Sequence, residues 1–256
     1  GEYSALCFAD AISFADGVRI TKARGEAMQA AADAVDTGMV SVIGLGKDKV
    51  AALCEMASEQ SGESIQIANF LCNGNYAVSG ATVACEKVGE LAKPEFKARM
   101  TVKLAVAGAF HTGASSFWQR IQVFVAALVV DSFFLHWILF FVLALCLCMI
   151  FLFGLCFLTD FMSPAVSALE EVLGGVEIQK PRIPVISNVD AKAHSDPAAI
   201  KKLLATQVTS PVLWENTMDL MLSSGFEEAF ELGPGKVTAG ILRRFDKSAK
   251  CTNVEV

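Results

Sequence analysis

Thirty-six consecutive residues, Val123 to Leu158, carry a single charged side chain, Asp131. A bilayer core takes about 20 apolar residues, and Phe133 to Leu158 offers 26 with no formal charge. Length therefore allows a membrane span. The flanks do not orient one: Arg120 stands near one end, Asp160 follows the other, and no Lys/Arg cluster marks a cytoplasmic side. The run lies mid-chain between polar segments, so it is neither a signal peptide nor a transit peptide.

Mean hydropathy is high because of this run. Residues 113–159 hold nine of the 18 Phe but only two charged residues, Arg120 and Asp131. The rest has the charge density of a soluble protein and length enough for a good core in one or two domains. A net charge of -6, with no basic stripe, speaks against nucleic-acid binding. The eight cysteines include no C-x-x-C and pair with no histidine, which predicts a reducing compartment and no metal site.

Ser13 followed by Asp16 makes a capping box, and Phe14 to Ala32 has helical spacing. On that helix Arg24 shares a stripe with Ile20, Ala27 and Met28. A guanidinium there either snorkels, pairs with a structural carboxylate, or binds something. From Met39 the pattern becomes βαββαβ: strands at 39–43, 65–69 and 76–79, helices at 47–59 and 81–92, and a final strand alternating through Met100, Val102, Leu104 and Val106. This predicts a ferredoxin-like split unit over residues 36–107. Beyond the apolar run come a helix at 164–173, a buried strand at 183–187 and a helix at 197–205. A helix at 214–224, a strand at 226–231 and a last helix ending near Phe245 follow. Such alternation predicts an α/β layer with a parallel sheet.

The order of motifs resembles one family, the malonyl-CoA:acyl-carrier-protein transacylases and the related acyltransferase domains of fatty-acid and polyketide synthases. The matching pieces are Gly1-Glu2-Tyr3-Ser4-Ala5-Leu6, Arg24-Gly25-x-x-Met28, Gly108-Ala109-Phe110-His111-Thr112 and Phe161-Met162-x-Pro164-Ala165. They continue with Pro184-x-x-Ser187-Asn188-x-Asp190, Gln207-x-x-x-Pro211-Val212-x-Trp214 and Gly233-Pro234-Gly235-Lys236-Val237. The resemblance covers the whole chain except 113–159.

What it implies is specific. The fold would be a hydrolase-like large subdomain with a parallel sheet, from 1–35 and 160–256, carrying the ferredoxin-like small subdomain. The activity would be transfer of malonyl from malonyl-CoA to acyl carrier protein through a seryl ester, in fatty-acid synthesis. No cofactor is implied beyond the coenzyme A thioester itself. In the family a G-H-S-L-G elbow holds the nucleophilic Ser. That Ser would fall two residues before Gly1, so the chain is expected to be a fragment, with Ser4 only a helix residue after the elbow. His111 takes the place of the base that deprotonates the serine and then the incoming thiol. Gln207 takes the place whose backbone carbonyl orients that base. Arg24 would clamp the free malonyl carboxylate with its planar fork. Phe110 resembles the malonyl-selective version of the site, and Met28 and Asn69 are pocket candidates, although core packing accounts for them equally well. Asn73 is open in the same way, with a turn as its alternative. His136 and His194 match no motif.

Deleting 113–159 joins Phe110-His111-Thr112 to Asp160-Phe161-Met162 as one uninterrupted family motif. The run is rich in Phe, Leu, Val and Ile, whose codons share T at the second position, and its ends accommodate GT and AG splice signals. It therefore reads as an unspliced intron of 47 codons, the rival being a real transmembrane helix. Without the run, the expected location is soluble, in cytoplasm or in a plastid or mitochondrial matrix. The other readings are an acyltransferase domain of a polyketide synthase and a membrane-anchored or inactive paralogue that binds partners.

Overall fold

The computed structural model describes residues 1–106, 108–111 and 162–255. The apolar insertion expected at 113–159, and His136 within it, lie outside the described residues. Among the described residues no helix is long and apolar enough to cross a membrane.

The chain opens with α1 (Glu2–Phe8) and α2 (Phe14–Ala34). Ser13 starts α2 as expected: its Oγ accepts from the Asp16 N–H at 3.0 Å and donates to the Asp16 carboxylate at 2.7 Å. Such a cap is worth about 1 kcal/mol because it satisfies a donor that has no partner inside the helix. Next come β1 (Thr37–Ile43), α3 (Lys47–Ser61), β2 (Ile65–Cys72), β3 (Asn75–Ala81), α4 (Thr82–Ala92) and β4 (Met100–Lys103). Gly62 closes α3 in the left-handed region at φ 73, its N–H bonded to Ser58 O at 2.9 Å.

These strands order as β4-β1-β3-β2, with β1/β4, β1/β3 and β2/β3 all antiparallel. Period-two alternation sends Val40, Val42, Tyr76 and Val78 to one face, where Val50, Leu53, Ala57, Ala84 and Val88 of α3 and α4 cover them. Fully burying each larger aliphatic there contributes about 1.5–3 kcal/mol. The opposite face presents Met39, Ala68 and Ala77, against which Leu104 and Phe110 pack.

After the insertion, α5 (Ser163–Gly174) and α6 (Pro197–Thr206) join α1 and α2 in a second core containing Tyr3, Leu6, Ile20, Met162, Leu169, Leu173 and Leu204. Asp196 caps α6, accepting from Ala198 N and Ala199 N, with Pro197 at its first position. Phe110 packs against both cores. The chain ends with β5 (Val212–Leu213), α7 (Trp214–Ser223), β6 (Ala229–Leu232), α8 (Val237–Phe245) and β7 (Cys251–Val254).

The mixed α/β class agrees with the sequence reading. Several finer expectations do not. Residues 183–187 form no strand: their ladder is a single bridge, Ile186 to Ala193, beside turn hydrogen bonds at Ser187, and Ile183 is 36% exposed. An apolar run becomes a strand only where another strand takes up its ladder, and none described lies alongside. The parallel sheet reduces, among the described residues, to the β6/β7 pair and a two-residue contact of β5 with β2. The strand expected at 226–231 sits later, at 229–232. The last strand, expected to alternate through Met100, Val102, Leu104 and Val106, ends at Lys103 and lies at the sheet edge, where Met100 and Val102 are exposed. Of that series Leu104, just past its end, packs against the inner face, while Val106 is exposed.

Candidate active site

Gly108 begins the segment that carries the candidate base. A Cβ at this position would lie 2.6 Å from the Ala32 Cβ on α2, so only glycine lets the chain pass. The next amide, Ala109 N–H, donates to Thr37 Oγ1 at 2.9 Å, tying the segment to the start of β1. Phe110 then wedges between the two cores, and His111 follows at φ 59, in the left-handed region that costs a non-glycine residue energy.

The imidazole is half-buried, and its Nδ1 lies 3.0 Å from the backbone oxygen of Gln207. A carbonyl only accepts, so Nδ1 carries the proton and Nε2 keeps its lone pair. Gln207 is the residue that ends α6; its N–H bonds back to Leu203 O, while its own carbonyl lies past the last helical acceptor and is free for another donor. Backbone position, not the glutamine side chain, therefore provides this acceptor.

Burial pushes the His111 pKa below its ordinary 6.5, and the Arg24 cation lowers it further; the Gln207 carbonyl and, less strongly, the Ser210 backbone oppose both. The imidazole is thus neutral at pH 7, the form a base requires. Arg24 reaches this neighbourhood from α2. Its guanidinium lies over the Tyr3 ring, 5.8 Å from the centroid, and its buried Nε has no hydrogen-bond partner among the described residues. Tyr3 Oη is buried and likewise has no partner among the described residues, and burial pushes the phenol up to about 12, so it stays a neutral donor.

Other predicted residues divide. Met28 and Phe110 pack, half-buried, against the core that holds Tyr3 and Met162. Asn69 lies at a bulge of β2, where the register slips against β3, paired with Ala77 on one side and Val212 on the other; its Oδ1 is buried and has no partner among the described residues. No hydrogen bond ties Asn69 to His111 or Gln207 among the described residues. Asn73 is exposed in the hairpin turn before Gly74, and Ser4 is exposed on α1. His194 bonds Asp190 at 2.9 Å in a loop, away from this cluster's hydrogen bonds. Among the described residues no group of three or more His, Cys, Asp or Glu is arranged to hold a metal ion.

The sequence reading missed Glu2. This carboxylate is buried, and its Oε2 accepts from Gln207 Nε2 at 2.6 Å and from the Asn188 N–H at 3.0 Å. Burial raises its pKa, against the hydrogen bonds it receives. An acid in the first turn of α1 also favours the helix dipole, a placement that by itself does not mark a buried hydrogen-bond hub.

No family model matches the chain. It is 33% identical over 260 residues to the mitochondrial malonyl-CoA-acyl carrier protein transacylase of Homo sapiens, a match covering 97% of this chain and 54% of that protein. It is 30% identical over 250 residues to the malonyl CoA-acyl carrier protein transacylase of Bacillus subtilis, covering 98% and 63%. Among solved structures, an acyl carrier protein S-malonyltransferase from Vibrio cholerae superposes with a TM-score of 0.76 at 30% identity, over 100% of this chain and 68% of that one. The chain thus spans between half and two thirds of the length of the two curated relatives. Likeness of sequence and fold along nearly the whole chain, with the motif histidine set on the motif glutamine's carbonyl, places the chain in the malonyl-CoA:acyl-carrier-protein transacylase family.

Proposed function

We propose that this chain is the larger part of an enzyme that moves a malonyl group from malonyl-CoA to acyl carrier protein. The hydrogen bond between His111 Nδ1 and Gln207 O carries the reading, because it leaves Nε2 of a partly buried, neutral imidazole with its lone pair, near an arginine. Nε2 takes the proton from the serine that the family resemblance places ahead of Gly1. The serine oxygen bonds to the thioester carbonyl carbon, the carbon–sulfur bond breaks, and the coenzyme A sulfur leaves with the proton held on Nε2. The carrier protein's pantetheine thiol then gives its proton to Nε2 and attacks the seryl ester. Serine leaves, reprotonated by the imidazolium. No other cofactor enters this cycle.

Arg24 pairs with the free malonyl carboxylate, Phe110 crowds an α-methyl branch, and Met28 and Asn69 line the pocket. In this reading residues 36–107 form a ferredoxin-like small subdomain over a hydrolase-like one built from 1–35 and 160–256. The β4-β1-β3-β2 order supports that division. Residues 113–159 are the product of an unspliced intron; Phe110 on one side and Met162 on the other pack in one core, which supports a direct join. The joined protein would work in cytoplasm or an organelle matrix.

Two measurements test this. The chain extended upstream through the elbow, with 113–159 removed, should load labelled malonyl from malonyl-CoA onto holo acyl carrier protein; no labelled carrier protein would overturn the assignment. The main transcript should lack the codons for Trp118 to Leu158, and a message that retains them would sink the intron.

A further inference from the structure

One side chain ties its own helix to two distant segments, and through their backbones to two more. Glu2 Oε2 receives the Gln207 amide from the end of α6 and the Asn188 N–H from the loop after residue 187; Asn188 O in turn accepts from Leu213 N at 2.9 Å, the start of the α7 segment. Gln207 then offers its carbonyl to His111. Gln207 is only 5% exposed, so its side chain has no water to bond if Glu2 lets go. Its carbonyl belongs to a residue that ends a helix, where backbone torsions are least restrained. An anchor on the side chain is what fixes the direction of that carbonyl.

We propose that Glu2 is a positioning residue: by gripping the Gln207 amide it aims the Gln207 carbonyl at His111 Nδ1 and so holds the imidazole in the tautomer whose Nε2 is free of its proton. This deepens the transacylase reading and rests on it for the role of His111. Both bonds to Glu2 land on the same oxygen, Oε2, so an uncharged amide oxygen in that place can receive both. The second group of a glutamine, its NH2, would face the Ser187 hydroxyl, which already bonds the carboxylate and can turn to accept. The geometry therefore needs an acceptor at position 2, not a charge.

The test is nitrogen-15 spectroscopy of the histidine rings in the full chain, recorded well above the ordinary histidine pKa of 6.5, with His111 assigned by the signal lost in His111→Gln. The parent and Glu2→Gln should show His111 protonated only at Nδ1. Glu2→Ala should give a mixture in which Nε2–H is the larger form, and the extended chain bearing it should lose about 100-fold in kcat, as misplacement of a reacting group by about 1 Å does. Should Glu2→Ala not fold, Gln207→Met removes the same hydrogen bond from the other side while keeping the backbone carbonyl, and should mix the tautomers likewise. A single Nδ1–H tautomer in folded Glu2→Ala or Gln207→Met overturns the proposal, as does mixing in Glu2→Gln. Because the tautomer is read without any acyl transfer, a chain that shows this pattern but loads no carrier protein fails the functional reading alone.

Discussion

Changing His111 to glutamine should lower kcat for malonyl transfer about 1,000-fold with little change in malonyl-CoA binding, since a positioned base typically contributes about 10²–10⁴-fold. Glutamine can still donate to the Gln207 carbonyl, so the fold is kept while the lone pair at Nε2 is lost. The same histidine sets the acid limb of the parent's pH profile. Its pKa lies below the ordinary 6.5 because burial and the Arg24 cation both disfavour the imidazolium. The base is active only when neutral, so kcat/KM should rise with pH through a midpoint below 6.5 and be flat by pH 7. Stability should follow the same sign. The folded state takes up its proton later than the unfolded chain, so the stability due to His111 is complete above 6.5. It is lost as the pH falls from there through the lower folded value. An acid limb centred above 6.5, or a His111→Gln enzyme with near-parental kcat, would remove His111 from the mechanism.

Local signals in the sequence marked α2 well, because Ser13, Asp16 and a 3.6-residue stripe all lie within one segment. The antiparallel strands were legible for a similar reason: β-branched residues at period two, broken by Gly44, Asn73-Gly74 and Pro94. Failures came where structure depends on something distant. The run at 183–187 looks as apolar as β1, yet strandness is a property of a pair. The two-residue β5 is too short to show a period, and β7, Cys251-Thr252-Asn253-Val254, turns a cysteine and an asparagine inward instead of two aliphatics.

Glu2 is the sharper case. Its partner Gln207 is 205 positions away, and nothing near Glu2 distinguishes it from an ordinary first-turn acid. His111 and Gln207 were found through motif order, not through periodicity, and the positive φ of His111 could not be read from its residue type, since histidine, although enriched there over most other side chains, adopts that region in only a small minority of cases. Glycine 108, by contrast, was readable as a necessity once its neighbour Ala32 was known. Residues that position a base are harder to read than the base, because they act through backbone atoms and through contacts that local spacing cannot encode.

Arg24 separates two effects that a single substitution would confuse. Its Nε is buried and has no hydrogen-bond partner among the described residues, and a buried N–H left unpaired on a charged group is costly, so a substrate carboxylate that satisfies it should gain about 3 kcal/mol, roughly 100-fold. Arg24→Ala should therefore lower kcat/KM for malonyl-CoA by about that factor and leave acetyl-CoA, which has no carboxylate, unchanged or a few-fold better. The same change removes the cation that depresses His111, so the acid limb of the profile should move to higher pH. Arg24→Lys splits the pair. An ammonium restores the positive charge, so the acid limb should stay near the parent's, but it cannot form two parallel bonds to a carboxylate, so malonyl preference should still fall. If Arg24→Ala keeps full malonyl preference while shifting the acid limb, Arg24 tunes the base and does not hold the substrate. If preference collapses and the limb stays put, the guanidinium serves the carboxylate alone, and its charge is too far from the imidazole to matter.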